Sequence, residues 1–314
     1  MKLSVIIVSY RVCDLLESSL RSIYENGFHD AMEVIVIDNA SGDGTVEKLS
    51  GLFPFVRWIQ NDENVGFAPA VNQAVEGASG EFLLLLNPDM RIVSGVLVKL
   101  IQFMEGHGEI GAVGPGLMLP NGEKYVSVMP FLSWASVFFY ETRLNRLFPF
   151  YLLTRPYSQL LKGNKPFRVD SVEGSFMLLR REAWQTTGGF DSHYFFGIEE
   201  MDLAWQLKRS GYETWFHPLP GAFHEHSGST GGKRQGIVNL SIILATLYFL
   251  RKNRRRNYYS LLSVLLVISL LKLAISLLFG WAERTIIFKE AVKALLGLRP
   301  MYITHKDKGR WNDD

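Results

Sequence analysis

The chain has 314 residues, a formal net charge of +2 and a single cysteine, Cys13. This length permits a large core with two lobes, and the near-neutral charge provides no overall field for binding nucleic acid. One cysteine excludes an internal disulfide and a cysteine-based zinc site. The apolar run Leu3–Val8 is too short for a signal-peptide core, so we expect the bulk of the protein to stay in the reducing cytosol.

Strands and helices alternate through the first 115 residues. Short apolar runs predict strands at Leu3–Val8, Glu33–Ile37, Val56–Gln60, Glu81–Leu86 and Gly111–Gly114. The patterns between them predict helices at about Asp14–Glu25, Thr45–Leu49, Pro69–Glu76 and Ser94–Met104. This order predicts an α/β fold with a doubly wound, mostly parallel sheet.

The second half of the chain is organised differently. A strand is predicted near Ser175–Arg180, a helix at Glu199–Arg209 and a strand at Glu213–His217. Residues 236–298 follow a Gly/Ser-rich linker and are mostly apolar. We expect them to form a separate helical region.

Polar residues follow three of the early strands. Strand one ends before Tyr10, strand two ends at Asp38, and a run of four leucines ends at Asn87-Pro88-Asp89, where proline stops the ladder. The carboxyl ends of parallel strands meet at one sheet edge, where ligands bind in open α/β sheets. There a tyrosine can stack on a nucleobase, an aspartate can accept hydrogen bonds from the base, and Asp89 can hold a hard cation that binds a diphosphate. The alternative for Asp89 is a plain Asx-turn.

Three acids crowd the first turn of the helix that begins near residue 199. Glu199 and Asp202 share a helix face, whereas Glu200 points about 100° away, so we expect different roles. The group is either a favourable arrangement for the helix dipole or the source of a general base. Elsewhere, Gly66 permits close approach to a nucleotide, and one of the two histidines His224 and His226 can ligate a cation or hydrogen-bond a phosphate.

Seven segments form a pattern when the chain is read in order. They are VIIVSY, VIVIDNASGDGT, NDENVGFAPAVNQA, EFLLLLNPD, VEGSFMLLRREAW, GGFDSHYFFGIEEMDLAWQLKRSGY and FHEHSGST. Over roughly residues 1–230 this pattern resembles the family 2 glycosyltransferases, which have the GT-A fold. It is most similar to bacterial rhamnosyltransferases of O-antigen and cell-wall linker synthesis, whose C-terminal tails are also basic and leucine-rich.

The resemblance implies roles for individual side chains. The nucleotide-sugar donor would be bound by Tyr10, Asp38, Gly66, Asn87 and His224. A divalent cation, Mg²⁺ or Mn²⁺, would be held by Asp89 and His224. Catalysis would depend on Glu200, with Glu199 beside it.

Three positions depart from the usual family pattern. Asn87 stands where the first aspartate of a D-x-D motif is often found, and Arg11 stands where an asparagine often follows the tyrosine. Glu200 replaces the aspartate of the commoner Glu-Asp pair. Its longer side chain can still serve as a base but needs different positioning.

The activity implied by the resemblance is that of an inverting glycosyltransferase. It would move a sugar, with L-rhamnose from dTDP-rhamnose as the best candidate, from a nucleoside diphosphate to a hydroxyl of a lipid-linked saccharide. Residues 1–115 would bind the nucleotide sugar, residues 116–230 would bind the acceptor and carry the catalytic groups, and residues 231–314 would associate with a membrane. Two alternatives stay open: a catalytically inactive, membrane-bound nucleotide-sugar scaffold, and a sugar-phosphate nucleotidyltransferase.

Residues 261–280 are dominated by Leu, Ile and Val, with Lys272 near their middle. Ser269, Lys272, Ser276 and Glu283 fall on one helical stripe. Basic residues flank the segment on both sides: Arg251, Lys252 and Arg254–Arg256 before it, then Arg284, Lys289 and Lys293 after it. These features predict a helix that lies in the cytoplasmic face of the inner or plasma membrane, with one edge exposed to water. The alternative is a hairpin buried inside the soluble domain.

Overall fold

The computed structural model describes residues 2–25, 31–125, 127–132, 157, 163–225, 235–253 and 258–303. The strands are β1 (Leu3–Ser9), β2 (Met32–Asp38), β3 (Val56–Gln60), β4 (Phe82–Leu86), β5 (Met90–Ile92), β6 (Ile110–Met118), β7 (Lys124–Tyr125), β8 (Val128–Met129), β9 (Phe167–Val169), β10 (Ser171–Val172), β11 (Phe176–Arg180) and β12 (Glu213–His224). The helices are α1 (Cys13–Tyr24), α2 (Thr45–Ser50), α3 (Phe67–Glu76), α4 (Val96–Glu105), α5 (Arg181–Thr187), α6 (Glu199–Arg209), α7 (Gln235–Asn253), α8 (Tyr258–Leu278) and α9 (Ala282–Leu295).

The described residues fall into two compact units. The first, here called the sheet unit, comprises described residues within 2–131, 157–192 and 200–225. The second, the C-terminal unit, comprises residues 132 and 193–199 together with described residues within 235–303.

The first four strands of the sheet unit form the predicted parallel sheet. They lie in the order β3-β2-β1-β4, and every neighbouring pair is parallel. The leucine run forms β4 because a strand buried on both faces favours continuous apolar residues, and Leu83 and Leu84 are both fully buried. Side chains of α1 and α4 join the core on one face, and α3 packs against β1 and β2. Helices and strands thus alternate as the doubly wound prediction requires.

The prediction of a mostly parallel sheet is wrong for the other half, which is mixed. β11 is antiparallel to both β4 and β6, and β12 is parallel to β6. The reason is the place where β11 begins: the N–H of Asn87 donates to the carbonyl of Ser175 at 2.9 Å, so the chain enters β11 where β4 ends. A strand that starts at that edge must run back along β4.

The last strand is longer than predicted. β12 continues past the predicted end at His217 to His224, with irregular register around Pro218 and Pro220. Its final residues pair antiparallel with β5, and His224 lies opposite Met90. This pairing carries His224 to the end of β4, next to Asp89.

In the C-terminal unit one residue of the polar stripe of α8, Ser276, packs inward. Ser276 is fully buried, and its hydroxyl accepts a hydrogen bond from Thr285 of α9 at 3.0 Å. The ammonium of Lys272 lies 5.4 Å from the ring centre of Phe288, also on α9. The predicted solvent-exposed edge is therefore wrong for Ser276, which packs against α9, whereas Ser269 and Lys272 are half-buried. Among the described helices, none combines the length and apolarity needed to cross a bilayer.

Candidate active site

The ends of β1 and β2 build one side of the candidate site. Ser9 and Asp38 are register partners, so Tyr10 leaves the sheet beside Asp38. Asp38 is buried; its Oδ2 accepts a hydrogen bond from the N–H of Ser41 at 3.0 Å. Its Oδ1 is buried with no hydrogen-bond partner among the described residues. An unpaired buried carboxylate oxygen is costly, so this atom is well suited to accept a donor from a ligand.

Arg11 lies in the left-handed backbone region, with a φ of 56°. Its backbone N–H donates to Ser41 Oγ at 2.9 Å and its Nε donates to the carbonyl of Ser41 at 3.1 Å. Its guanidinium carbon lies 5.4 Å from the ring centre of Tyr10, within cation–π range. Arg11, which departs from the family pattern, therefore contacts both the Tyr10 ring and the turn that follows β2.

Asn39 connects this turn to the loop before α3. Its Nδ2 donates to Asn64 Oδ1 at 2.9 Å and to the carbonyl of Gly66 at 3.1 Å. Its Oδ1 accepts from Asn61 Nδ2 at 3.1 Å and from the N–H of Val65 at 3.2 Å. Gly66 has a φ of 93°, which favours glycine, and precedes the first residue of α3. The sequence assigns Asn39 no role in the site, although its place directly after Asp38 puts it at the same strand end.

Asp89 and His224 form a buried pair at the end of β4. Asp89 Oδ2 lies 3.3 Å from His224 Nε2, and the two side chains are 11% and 8% exposed. The backbone carbonyl of Asp89 accepts from the N–H of Glu225 at 3.1 Å, which fixes the two segments together. His226, the second histidine of the FHEHSGST motif, lies outside the described residues.

The donor atoms of this pair fit a divalent cation. Asp89 Oδ1 is buried with no hydrogen-bond partner among the described residues, so it has a lone pair to offer. Carboxylate oxygen and imidazole nitrogen are both ligands of Mn²⁺-type ions. Within the described ranges no three His, Cys, Asp or Glu side chains converge as a complete metal site. A nucleotide-bound Mg²⁺ typically takes one or two protein carboxylates and completes its shell with phosphate oxygens and water.

Glu200 lies in the sheet unit beside the start of β11. A methyl group at Gly174 would be 3.8 Å from Glu200 Cβ, 4.0 Å from its carboxyl carbon, and 3.9 Å from Cε1 of Phe67. Gly174 precedes Ser175, whose carbonyl accepts from the N–H of Asn87. Glu200 is therefore next to both the Gly66-Phe67 loop and the segment that anchors the end of β4.

Glu199 has a different environment from Glu200. Its carboxylate accepts hydrogen bonds from its own N–H and from that of Gly197, and its Oε2 is buried without a hydrogen-bond partner among the described residues. Burial raises the pKa of Glu199 to about 7. Asp202, one turn later, is also buried. Glu199 and Asp202 are thus both buried while Glu200 is half-buried, and the roles of all the site residues stay predictions.

Comparison with known proteins identifies the family of this chain. The family model described as "Glycosyl transferase family 2" matches residues 4–187, more than half of the chain. An N-acetylglucosaminyl-diphospho-decaprenol L-rhamnosyltransferase of Mycobacterium tuberculosis is 30% identical over 244 residues, which cover 73% of this chain and 78% of that protein. The family match favours glycosyl transfer over the nucleotidyl transfer that the sequence left open.

Two solved structures share the fold. Staphylococcus aureus TarS 1-349 matches with a TM-score of 0.53 at 14% identity, over 95% of this chain and 92% of that one. The mannosyltransferase PcManGT from Pyrobaculum calidifontis, in complex with GDP-Man and Mn²⁺, matches with a TM-score of 0.54 at 17% identity, over 94% of this chain and 87% of that one. The predicted GT-A fold is therefore confirmed, and with the family model and the mycobacterial relative it shows that the chain belongs to glycosyltransferase family 2.

Proposed function

We propose that this glycosyltransferase moves L-rhamnose from dTDP-rhamnose to a hydroxyl of a lipid-linked saccharide, with inversion at the anomeric carbon. The observation that carries the proposal is the buried Asp89–His224 pair at the sheet edge that also presents Asp38, with Glu200 against Gly174. The donor and acceptor classes are supported by the mycobacterial relative, whose name specifies rhamnosyl transfer to N-acetylglucosaminyl-diphospho-decaprenol.

Each site residue has a task that its position allows. Tyr10 stacks on the nucleobase, and Asp38 Oδ1 accepts a hydrogen bond from a base N–H. Gly66 lets the backbone approach the nucleotide closely. Glu200 takes the proton of the acceptor hydroxyl while that oxygen bonds to the anomeric carbon and the bond from this carbon to the diphosphate breaks. A single displacement inverts the anomeric centre without a covalent enzyme intermediate.

Asp89 and His224 would hold the divalent cation, Mg²⁺ or Mn²⁺. When bound, such an ion stabilises the negative charge that develops on the departing diphosphate. Support comes from the unpaired Oδ1 of Asp89 and from two solved structures of this fold that contain Mn²⁺. Asn87 stands in the place of a second acid, and its backbone N–H donates to the carbonyl of Ser175 at the end of β4. In this proposal Asn87 does not bind the ion, which Asp89 and His224 would hold.

Sugar transfer by purified protein in detergent tests this proposal. The protein is offered dTDP-, UDP- and GDP-sugars with a synthetic N-acetylglucosaminyl-diphospho-lipid, and release of nucleoside diphosphate and product mass are measured. We expect acceptor-dependent release from dTDP-rhamnose that a chelator suppresses. Asp89→Ala should abolish it, whereas Asp62→Ala, at an exposed acid in the loop after β3, should not.

Other outcomes of this assay are equally informative. Binding of dTDP without release from any nucleotide sugar would support the inactive-scaffold alternative and overturn the proposal. Release from a different donor would overturn the assignment of rhamnose. Full activity in chelator, or in Asp89→Ala, would overturn the role of the cation.

We also infer that the C-terminal unit lies on the cytoplasmic face of the inner or plasma membrane. The face of α8 turned away from α9 exposes Val267, Leu270, Leu271, Ile275, Leu277 and Leu278. Exposed basic side chains stand before and after this helix at Arg251, Lys252, Arg284 and Lys289; Arg254–Arg256 lie outside the described residues. An apolar helix face flanked by Lys and Arg suits the interface of an anionic bilayer.

Vesicle co-sedimentation tests the membrane location. The wild type is compared with a Leu271→Asp, Leu278→Asp double variant, using phosphatidylcholine vesicles with and without phosphatidylglycerol. Leu52→Asp is the matched control, because Leu52 is 53% exposed in the sheet unit and Leu271 is 59% exposed. We expect anionic vesicles to bind the wild type and the control but not the double variant. Equal binding of all three proteins would refute the inference, and vesicle-free oligomers lost only in the double variant would assign the surface to a second copy.

A further inference from the structure

The loop that leads into α6 has an unusual backbone. Gly197 and Ile198 both lie in the left-handed region, with φ values of 88° and 75°. For a β-branched residue such as Ile198 this conformation is a genuine outlier, and it persists only where surrounding contacts impose it. Glu199 and Glu200 follow directly. The contacts that impose this backbone therefore help to fix the start of the helix that carries the proposed base.

One side chain of α7 holds this loop through two hydrogen bonds. Ser241, which is 2% exposed, accepts from the N–H of Phe196 at 3.1 Å and donates to the carbonyl of Phe196 at 2.8 Å. A serine or threonine inside a helix commonly bonds the carbonyl four residues earlier, as Thr246 does with Ile242 on this same helix. Ser241 instead uses both its donor and its acceptor on the loop.

Packing fixes the neighbouring positions of the loop. A methyl group at Gly197 would lie only 2.9 Å from Cγ1 of Ile242 on α7, so a larger residue there would require the Ile242 side chain to shift. Earlier in the loop, the rings of His193 and Tyr194 lie 5.2 and 5.3 Å from that of Tyr248, another α7 residue. The segment before Glu199 is thus held by α7 at both of its ends.

We propose that Ser241 is a positioning residue for the transfer reaction, acting through the Phe196–Ile198 backbone on the aim of Glu200. This inference rests on the proposed role of Glu200 as the base. A base must reach the acceptor hydroxyl within hydrogen-bond distance, and a displacement of about 1 Å can cost about 10²-fold in rate. The loop would therefore tune turnover without touching the nucleotide.

Ser241→Ala and Thr246→Val are the matched pair that tests this role. Each variant removes one hydroxyl from α7, but only Ser241 bonds the loop. Amide hydrogen exchange of residues 193–200, thermal unfolding, dTDP affinity and steady-state kinetics are compared with the wild type. We expect Ser241→Ala to speed exchange in this segment and lower kcat about 10- to 100-fold. The donor KM and dTDP affinity should stay within about 2-fold. Thr246→Val should change neither exchange nor kcat.

Four results would overturn the proposal. Exchange that is unchanged in Ser241→Ala would mean that the two hydrogen bonds do not hold the loop in solution. Faster exchange with an unchanged kcat would mean that the loop does not aim the base. If Ser241→Ala lost kcat, dTDP affinity and thermal stability together, and more than Thr246→Val does, Ser241 would have a general structural role. Absence of sugar transfer by the wild type would remove the proposed function and the positioning role with it, while the exchange data would still establish whether Ser241 holds the loop.

Discussion

Replacing Glu199 by glutamine should change how the stability of the protein depends on pH. Burial raises the pKa of the Glu199 carboxyl from 4.5 to about 7, although two backbone N–H groups donate hydrogen bonds to it. Its Oε2 is buried without a hydrogen-bond partner among the described residues. The fold therefore favours the neutral acid, and glutamine is a neutral side chain of nearly the same shape.

The sign and size of the effect follow from the two pKa values. Below pH 4.5 the carboxyl is protonated in both states, so burial carries no pH-dependent cost. Between pH 4.5 and about 7 the unfolded chain loses this proton while the folded protein keeps it, so the stability of the wild type falls. Above about 7 the loss is complete, and a pKa difference of about 2.5 corresponds to about 3 kcal/mol. Relative to the wild type, Glu199→Gln should therefore gain about 3 kcal/mol of stability between low and high pH.

Urea unfolding at about pH 4 and about pH 8, followed by tryptophan fluorescence, measures this gain. Glu182→Gln is the matched control, because Glu182 is an exposed glutamate in the first turn of α5. The control should follow the wild type at both pH values, and the urea dependence of all three proteins should be similar. If Glu199→Gln differs from the wild type by the same free energy of unfolding at both pH values, the fold does not hold this acid neutral and the reasoning fails.

Three further outcomes are expected. Glu200→Gln should lower kcat by about 10²–10⁴-fold while dTDP still binds in calorimetry; a larger loss in Glu199→Gln, with Glu200→Gln nearly normal, would move the base by one residue. His224→Ala should weaken Mn²⁺ binding in the presence of dTDP, measured by calorimetry, and an unchanged affinity would remove His224 from the ion site. Asn39→Ala should lower the free energy of unfolding by about 1–3 kcal/mol, because it leaves partly buried donors and acceptors of the loop before α3 without their Asn39 partner; wild-type stability in denaturant would contradict this.

The first half of the sheet unit is predictable because its signals are local. β1 to β4 are short apolar runs that end at polar residues or proline, and their bounds lie within a few residues of the prediction. α6 spans Glu199–Arg209 as predicted, since acids mark its first turn and Lys208 and Arg209 its last. The parallel order then places Asp38 and Asp89 at one edge.

The meeting of Asp89 with His224 depends on elements that local reasoning misses. β5 has three residues, too few to show a period, and β12 contains Pro218 and Pro220, which argue against a strand. Each segment becomes a strand by pairing with a partner far away in the sequence. Local sequence patterns therefore indicate Asp89 and His224 only as two separate candidate cation ligands. The pairing of β5 with β12 is what brings the two side chains together.

The α8 stripe shows a second limit of sequence reasoning. Helical periodicity correctly separates a polar from an apolar side, but it does not state which side another element covers. Here Thr285 of α9 bonds the buried Ser276, and Lys272 lies 5.4 Å from the ring centre of Phe288, so the polar side faces α9 while several apolar residues of α8 are exposed. The outcome depends on α9, which lies beyond any window that reads α8 alone.

Two of the three departures from the family pattern, Asn87 and Glu200, are each matched by a feature of this chain. Asn87 offers no second carboxylate, yet His224 lies 3.3 Å from Asp89 and, under the proposed function, would supply a second cation ligand at the same point. Glu200 is one methylene longer than the usual aspartate, and its side chain lies beside Gly174, where even an added methyl group would make only ordinary contacts with it. The Asn87 position thus has a possible cation ligand nearby, and the Glu200 position keeps a carboxylate, so both substitutions are compatible with an active transferase. If the protein were the inactive scaffold of the alternative reading, its loss of catalysis would require another cause.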